Sequence, residues 1–94
     1  MIDPTTTVHR NPRAVFRRLA EGSGGVLLHL SSGQYHGINP IGLVIWELIE
    51  DGCTVADIAE RLRACVQDPP PSLESDVLRF VTSVHERDLL VIDQ

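Results

Sequence analysis

Residues 33–46 read GQYHGINPIGLVIW, and within this stretch the pattern changes from extended chain to helix. Asn39 is a favourable N-cap residue, and Pro40 suits the first position of a helix because its missing N–H is not needed there. From Ile41 onward, apolar residues recur at spacings of three and four, which is typical of an amphipathic helix. The stretch therefore predicts a strand over residues 34–38 and a helix that begins at residue 40.

Two more extended segments precede this stretch. The first covers residues 14–19, and the second covers residues 26–30, where a period of two puts Val26, Leu28 and Leu30 on one face. Residues 21–25 (EGSGG) form a turn cluster between them, and residues 31–33 (SSG) turn the chain into the third strand. These patterns predict a three-stranded antiparallel meander.

Three helices are expected after the meander. Gly52 ends the first, and Thr54 caps the second with Asp57 three positions later, as in a capping box. The turn over residues 51–53 is so tight that these helices resemble a helix-turn-helix. Three prolines at 69–71 break the chain, Ser72 can cap a third helix to about residue 88, and residues 89–92 form a packed tail or a short strand.

The fold class is therefore α+β: a winged helix-turn-helix-like domain with a three-stranded antiparallel sheet followed by three helices. Residues 1–12 are polar and contain two prolines, so we expect a flexible N-terminal arm. Residues 13–94 form the domain.

Composition narrows the classes of function. The chain has 94 residues, 43% of them hydrophobic, and a formal net charge of −5. Eleven of the thirteen acidic residues lie in residues 47–94, which would repel nucleic acid and anionic membranes. The sequence shows neither a signal-peptide pattern nor an apolar run long enough to span a membrane, so we expect a cytoplasmic protein.

No catalytic or metal site is predicted. The four histidines and two cysteines lack the spacings of known zinc sites, and no Gly-rich segment is followed by the Lys of a phosphate-binding loop. We therefore expect no enzyme activity, no metal and no cofactor.

The apolar arc of the third predicted helix is unusually wide, about 160° at 100° per residue. One core face needs about 100°. The arc is formed by Leu73, Val77, Leu78, Phe80, Val81 and Val84. Either the small domain wraps this helix deeply, or part of the arc lines an open groove for an apolar partner.

The third predicted strand lies at a sheet edge. Neither Lys nor Pro blocks this edge, and Gly37 would allow a foreign chain to come close. A groove between this strand and the third helix could bind a peptide by strand addition. Alternatively, the N-terminal arm or a second protomer covers the edge.

The order of these motifs resembles the PqqD-like family. Gly33, Tyr35, Ile38 and Asn39 match its G-x-Y-x-x-[LI]-N pattern, and Gly42, Ile45, Trp46 and Leu48 match its x-x-G-x-x-I-W-x-L pattern. The turn into the second helix, the third helix and the closing apolar tail are also similar, so that the resemblance covers residues 13–92.

This resemblance implies a RiPP recognition element, a domain that binds the leader segment of a ribosomally made precursor peptide. In the family, the leader adds to the third strand and packs on the third helix. The peptide contacts carried over to this chain are Tyr35, His36, Gly37 and Ile38 on the strand, and Val77, Leu78, Phe80, Val81 and Val84 on the helix.

The run from Tyr35 to Gly42 looks most like the stand-alone members of lasso-peptide biosynthesis. The resemblance implies that such a chain delivers the precursor to a leader peptidase, which is a cysteine protease, and to a macrocyclase. The alternatives are the peptide chaperone of quinone-cofactor (PQQ) biosynthesis, a winged-helix DNA-binding regulator and a small enzyme.

Overall fold

The computed structural model describes residues 2–20, 24–49 and 52–92. Residues 21–23 of the expected turn cluster and Asp51 of the turn between helices lie outside this part. The elements are β1 (Thr7–Arg10), β2 (Ala14–Arg18), β3 (Gly25–His29), β4 (Tyr35–Ile38), α1 (Pro40–Leu48), β5 (Cys53–Thr54), α2 (Val55–Cys65), α3 (Leu73–Glu86) and β6 (Leu90–Ile92).

The main sheet is the expected antiparallel meander in the order β2-β3-β4. Its inner face is the one that carries Leu27 and His29, which are buried against the helices. Val26, Leu28 and Leu30 share a face as predicted, but that face is turned away from the core. Alternation alone could not choose between the two faces, because Leu27 gives the opposite face an apolar residue as well.

Local capping determines where the first two helices begin, as predicted. The Asn39 side chain accepts a hydrogen bond from the Gly42 N–H at 2.7 Å. Thr54 and Asp57 form a reciprocal capping box, with side-chain to backbone distances of 3.0 and 3.1 Å. Ser72 precedes α3, but its hydroxyl contacts the Asp76 carboxylate instead of a backbone N–H.

The N-terminal segment differs from the expected flexible arm. Residues 7–10 form β1, which pairs with β5 on one side and β6 on the other, and the Val8 side chain is 0% exposed. The carbonyls of Pro4 and Thr6 accept hydrogen bonds from the first N–H groups of α2. The partners of β1 are more than 40 residues away in sequence, so a local pattern with a single buried valine could not indicate them.

The core lies between the inner face of the main sheet and the three helices, and it continues under the small sheet β5-β1-β6. Trp46 is buried there, and the guanidinium of Arg10 lies 5.4 Å from the centre of its ring. Within the described residues, no helix combines the length and the apolar character needed to cross a bilayer. This arrangement leaves β4 and one side of α3 at the surface, where they border a groove.

Candidate functional site: the groove between β4 and α3

The outer edge of β4 is open. β4 is the last strand of its sheet in the described part of the chain, and the N-terminal segment joins the other sheet and so does not cover it. His29 N–H donates to the Gln34 carbonyl, so in the register of β3 and β4 the backbone groups of His36 and Ile38 also point toward β3. By the same alternation, the N–H and C=O groups of Tyr35 and Gly37 point outward and are free to pair with an added strand.

The wide apolar arc of α3 divides into a core face and a groove face. Leu73, Val77, Val81 and Val84 are buried, and they account for the centre of the arc. Phe80 and Leu78, at the two margins of the arc, are half-buried. Both interpretations of the arc therefore hold in part: its centre is wrapped by the domain, whereas the Phe80 margin is left for the groove.

The ring of Phe80 lies directly on the backbone of Gly42. A Cβ atom at position 42 would come within 2.8 Å of the Phe80 ring and 3.1 Å of the Asn39 side-chain oxygen. Glycine in the G-x-x-I-W pattern therefore allows this close contact, because any side chain at position 42 would displace the ring. This contact positions Phe80 between β4 and α1.

Phe80 borders two apolar cavities. One, of about 160 Å³, lies between β4 and α3 and is lined by His36, Ile38 and Val84 among others. The other, of about 460 Å³, lies between α1 and α3 and is lined by Ile41 and Ile45 among others. Both are open to solvent, so the two cavities form one groove with the Phe80 ring between them.

The polar rim of the groove comes from α3. Ser83 lines both cavities, Arg79 lines the larger one and Arg87 lines the smaller one. The Arg87 guanidinium donates to the Ser83 hydroxyl, and Arg79 lies 3.9 Å from the Asp76 carboxylate. Asp76 lines the larger cavity as well, so the rim carries two guanidinium groups and one carboxylate.

His36 lines the smaller cavity, and the buried His29 lies near it on the same face of the sheet. Burial, reinforced by the positive charge of Arg87 and by His29, lowers the pKa of His36 from its ordinary value of 6.5. His29 Nδ1 accepts from the N–H groups of Ser31 and Ser32, so its Nε2 carries the proton and donates to the Asp88 carboxylate at 3.0 Å. His29 thus ties the β3–β4 turn to the end of α3.

The structure brings together only part of the predicted peptide-binding set. His36, Gly37, Ile38, Phe80 and Val84 line the smaller cavity.

The other predicted residues lie elsewhere. The Tyr35 side chain is 71% exposed and lies on the outer face of the sheet, so only its backbone belongs to the β4 edge. Leu78 is half-buried at the other margin of α3 and lines neither cavity, and the side chains of Val77 and Val81 are 0% exposed.

Several residues that line the groove were not predicted as peptide contacts, among them Ile41 on α1 and Arg79, Ser83 and Arg87 on α3. Ile41 offered a signal, because it is the first residue of the α1 stripe, and it is 50% exposed. An apolar residue in the first turn of a helix, next to an edge strand, can belong to a surface groove as readily as to the core. The three α3 residues offered none, since polar residues on a helix are usually only solvated.

The groove has the properties of a binding site. Across residues 2–20, 24–49 and 52–92, no three or more side chains of the types that bind metal ions converge. The site instead combines a row of free backbone groups with apolar cavities, and these are the two requirements for holding an extended peptide.

Comparisons with known proteins agree with this geometry. The family model for coenzyme PQQ synthesis protein D (PqqD) matches residues 24–90. TbiB1, solved in complex with the TbiA(beta) leader peptide, is 28% identical with a TM-score of 0.71, over 86% of this chain and 92% of TbiB1. A lasso peptide synthetase B1, solved with the leader peptide, is 26% identical with a TM-score of 0.72, over 89% of this chain and 96% of its own.

A comparison with curated proteins gave no match. The family model nevertheless covers well over half of the chain, and the fold agrees with both solved structures over most of its length. One of these structures is described as a lasso peptide synthetase B1, in agreement with the resemblance of residues 35–42 to the lasso-peptide members. The chain therefore belongs to the PqqD family.

Proposed function

We propose that this protein binds the leader segment of a ribosomally synthesised precursor peptide by strand addition to β4. The observation that carries the proposal is the open β4 edge beside two apolar cavities. The leader backbone would pair with the outward N–H and C=O groups of Tyr35 and Gly37. Alternate leader side chains would then point toward α3, where the cavities on either side of Phe80 receive apolar groups.

The pathway is inferred from the relatives. Both solved relatives were captured with a leader peptide, and one is described as a lasso peptide synthetase B1. We propose that the precursor here is a lasso-peptide precursor and that the bound complex is delivered to a leader peptidase and a macrocyclase. The PQQ-type chaperone is the second candidate, because the family model carries that description.

The proposed role is binding without catalysis. A groove made of backbone edges and apolar side chains holds and orients a peptide, and the chemistry is left to the partner enzymes. The predicted cytoplasmic location is part of the same proposal, since the ligand is a newly translated peptide. A DNA-binding role has less support, because the exposed face of α2 presents Asp57 and Glu60 beside Arg63.

Fluorescence anisotropy of a labelled leader peptide tests the proposal. We expect saturable binding at or below roughly micromolar concentration, in the range of specific peptide recognition. Duplex DNA of similar size is the control and should show no saturable shift. Binding of DNA without binding of the leader would contradict the proposal and favour the winged-helix regulator.

A pair of substitutions at one position tests strand addition itself. Gly37→Pro removes an outward N–H from the edge, whereas Gly37→Ala keeps it and places its Cβ in open space. Proline at a sheet edge leaves the β3–β4 hydrogen bonds intact. We expect Gly37→Pro to weaken leader binding about tenfold, the equivalent of one lost hydrogen bond.

Gly37→Ala should bind the leader as the wild type does. Thermal unfolding of both variants checks that the fold is retained. If Gly37→Pro is folded and its affinity is unchanged, the leader does not add to β4.

A further inference from the structure

The outer face of the main sheet, opposite the helices, presents an uncovered apolar surface. Val15 on β2, Leu28 on β3 and Tyr35 on β4 are cross-strand neighbours and form one row. The adjacent row contains Arg17, Val26 and Gly37. We call these six residues the outer sheet face.

This face contains a shallow depression of about 460 Å³ lined by Val15, Arg17, Val26, Leu28 and Tyr35. Val15 is 42% exposed and Tyr35 is 71% exposed, whereas the inner face of the same strands is packed against the core. Adjacent exposed apolar side chains of this kind mark a protein-interaction surface more often than a solvated one.

The outer sheet face carries positive charge only. Arg17 is its only charged residue, and no acidic side chain in the described ranges forms an ion pair with Arg17. The neighbouring Arg18 differs, since its guanidinium pairs with the Glu47 carboxylate at 2.6 Å. A complementary partner must therefore supply the carboxylate.

This charge pattern argues against a second copy of the chain as the occupant. A symmetric dimer through this face would place the same patch against itself, and the patch contains no carboxylate to pair with Arg17. A different protein can place an apolar side chain in the depression and an adjacent Asp or Glu carboxylate against Arg17.

We propose that the outer sheet face docks the leader peptidase that acts on the precursor, through an apolar side chain in the depression and a carboxylate on Arg17. The inference rests on the proposed leader binding. A leader added at the β4 edge and packed on α3 leaves the opposite face of the sheet uncovered. The enzyme can therefore dock there without displacing the leader.

The test uses the full chain, its leader peptide and the purified leader peptidase of the same pathway. Arg17→Glu reverses the charge of the face, and Val15→Ser removes apolar area from its margin. We expect both to bind the leader within about twofold of the wild type, since they lie outside the groove. Affinity for the peptidase should fall about tenfold for Arg17→Glu, because the new carboxylate would face another.

Arg63→Glu is the matched control, because it makes the same charge change at an exposed position on α2. It should bind both leader and peptidase as the wild type does. Peptidase binding by the wild type should also weaken as salt is raised. For Arg17→Glu the dependence should reverse, because salt screens the repulsion between the two carboxylates.

Two outcomes overturn the inference. One is a folded Arg17→Glu variant that binds the peptidase as tightly as the wild type. The other is a wild-type dimer, seen by sedimentation, that Val15→Ser dissociates, because the face would then join two copies. Failure of leader binding in the wild type would instead contradict the proposed function, and the anisotropy measurement reports it separately.

Discussion

At the scale of single residues, Gly42 determines where the ring of Phe80 can lie. The half-buried ring borders two open cavities, so a methyl group added beneath it would push it outward into the groove. Replacing a helical glycine with alanine also gains about 0.5–1 kcal/mol of helix propensity. The contact of the new methyl group with the Phe80 ring lowers stability, whereas the gain in helix propensity raises it. Only the displacement of the ring changes the groove.

For Gly42→Ala we expect a change of less than about 1 kcal/mol in the free energy of unfolding, because the propensity gain offsets mild overpacking. Leader affinity should nevertheless fall about tenfold, as expected when a well-packed pocket is blocked. Urea unfolding and leader anisotropy measure the two effects, and Gly37→Ala serves as the control glycine replacement. A large loss of stability with unchanged affinity would show that the ring does not move into the groove.

His36 makes stability dependent on pH. Its pKa is lowered in the folded chain by burial and by Arg87, so the unfolded chain binds the proton more readily. The stability that neutral His36 contributes is therefore fully present at pH values above its ordinary pKa of 6.5. It is lost as the pH falls through the lowered pKa of the folded chain.

We expect the wild type to lose more thermal stability than His36→Gln between about pH 7.5 and pH 5.5. Thermal unfolding across this range, monitored by circular dichroism, provides the comparison. Parallel curves for the two proteins would show that the His36 pKa is not lowered in the fold.

At the scale of elements, β1 stabilises α1 through Arg10. The Arg10 guanidinium donates to the carbonyl of Trp46 at 2.7 Å and to that of Glu47 at 3.2 Å. The last turn of α1 has no basic residue of its own. The Trp46 carbonyl also accepts from the N–H of the C-cap residue Ile49 at 3.2 Å, so the guanidinium adds a second donor to it. The cation also complements the negative end of the helix dipole.

Replacing Arg10 with alanine should therefore lower the free energy of unfolding by about 1–3 kcal/mol, through the lost charged hydrogen bonds and the contact with the Trp46 ring. Arg13→Ala removes an exposed arginine from the same segment and should change it by less than about 0.5 kcal/mol. Urea unfolding of both variants makes the comparison. Equal losses in the free energy of unfolding for the two variants would mean that Arg10 contributes only its positive charge and not its specific contacts.

The caps of α1 and α2 were predictable because they depend on contacts three residues apart. Asn39 with Gly42, and Thr54 with Asp57, are such pairs. Arg10 and the end of α1 are 36 residues apart, so no local pattern contains that contact. The same distinction applies to the groove. The strand and the helix that border it were predicted, but how deeply each α3 side chain is buried was not.

At the scale of the whole molecule, the N-terminal segment is part of the fold. β1 lies between β5 and β6, and therefore joins the start of α2 to the chain that follows α3. Asn11 adds to this connection, since its side-chain amide donates to the Asp88 carbonyl at 2.7 Å. The segment thus closes the core on the side away from the main sheet.

Val8→Ala should lower the free energy of unfolding by about 1–3 kcal/mol, since it leaves a cavity at a fully buried position. Leu19→Ala, a larger truncation at an exposed position, should cost less than about 0.5 kcal/mol. Thermal unfolding of both variants distinguishes them. A cost for Val8→Ala no larger than that for Leu19→Ala would mean that β1 is dispensable, as expected for a flexible arm.

The amino-acid sequence by itself determined the class of fold, the order of the meander and helices, and the family. The fold class and the order of elements depend on periodicity, capping and turn residues, all of which act between positions a few residues apart, and the family was indicated by the resemblance of short motifs in a given order. The tertiary structure alone decided which face of β3 is buried, that β1 belongs to the core, and that Phe80 and Ile41 rather than Val77 and Val81 border the groove. Each of those outcomes depends on packing between segments that are distant in sequence, because a side chain is buried only where another segment packs against it.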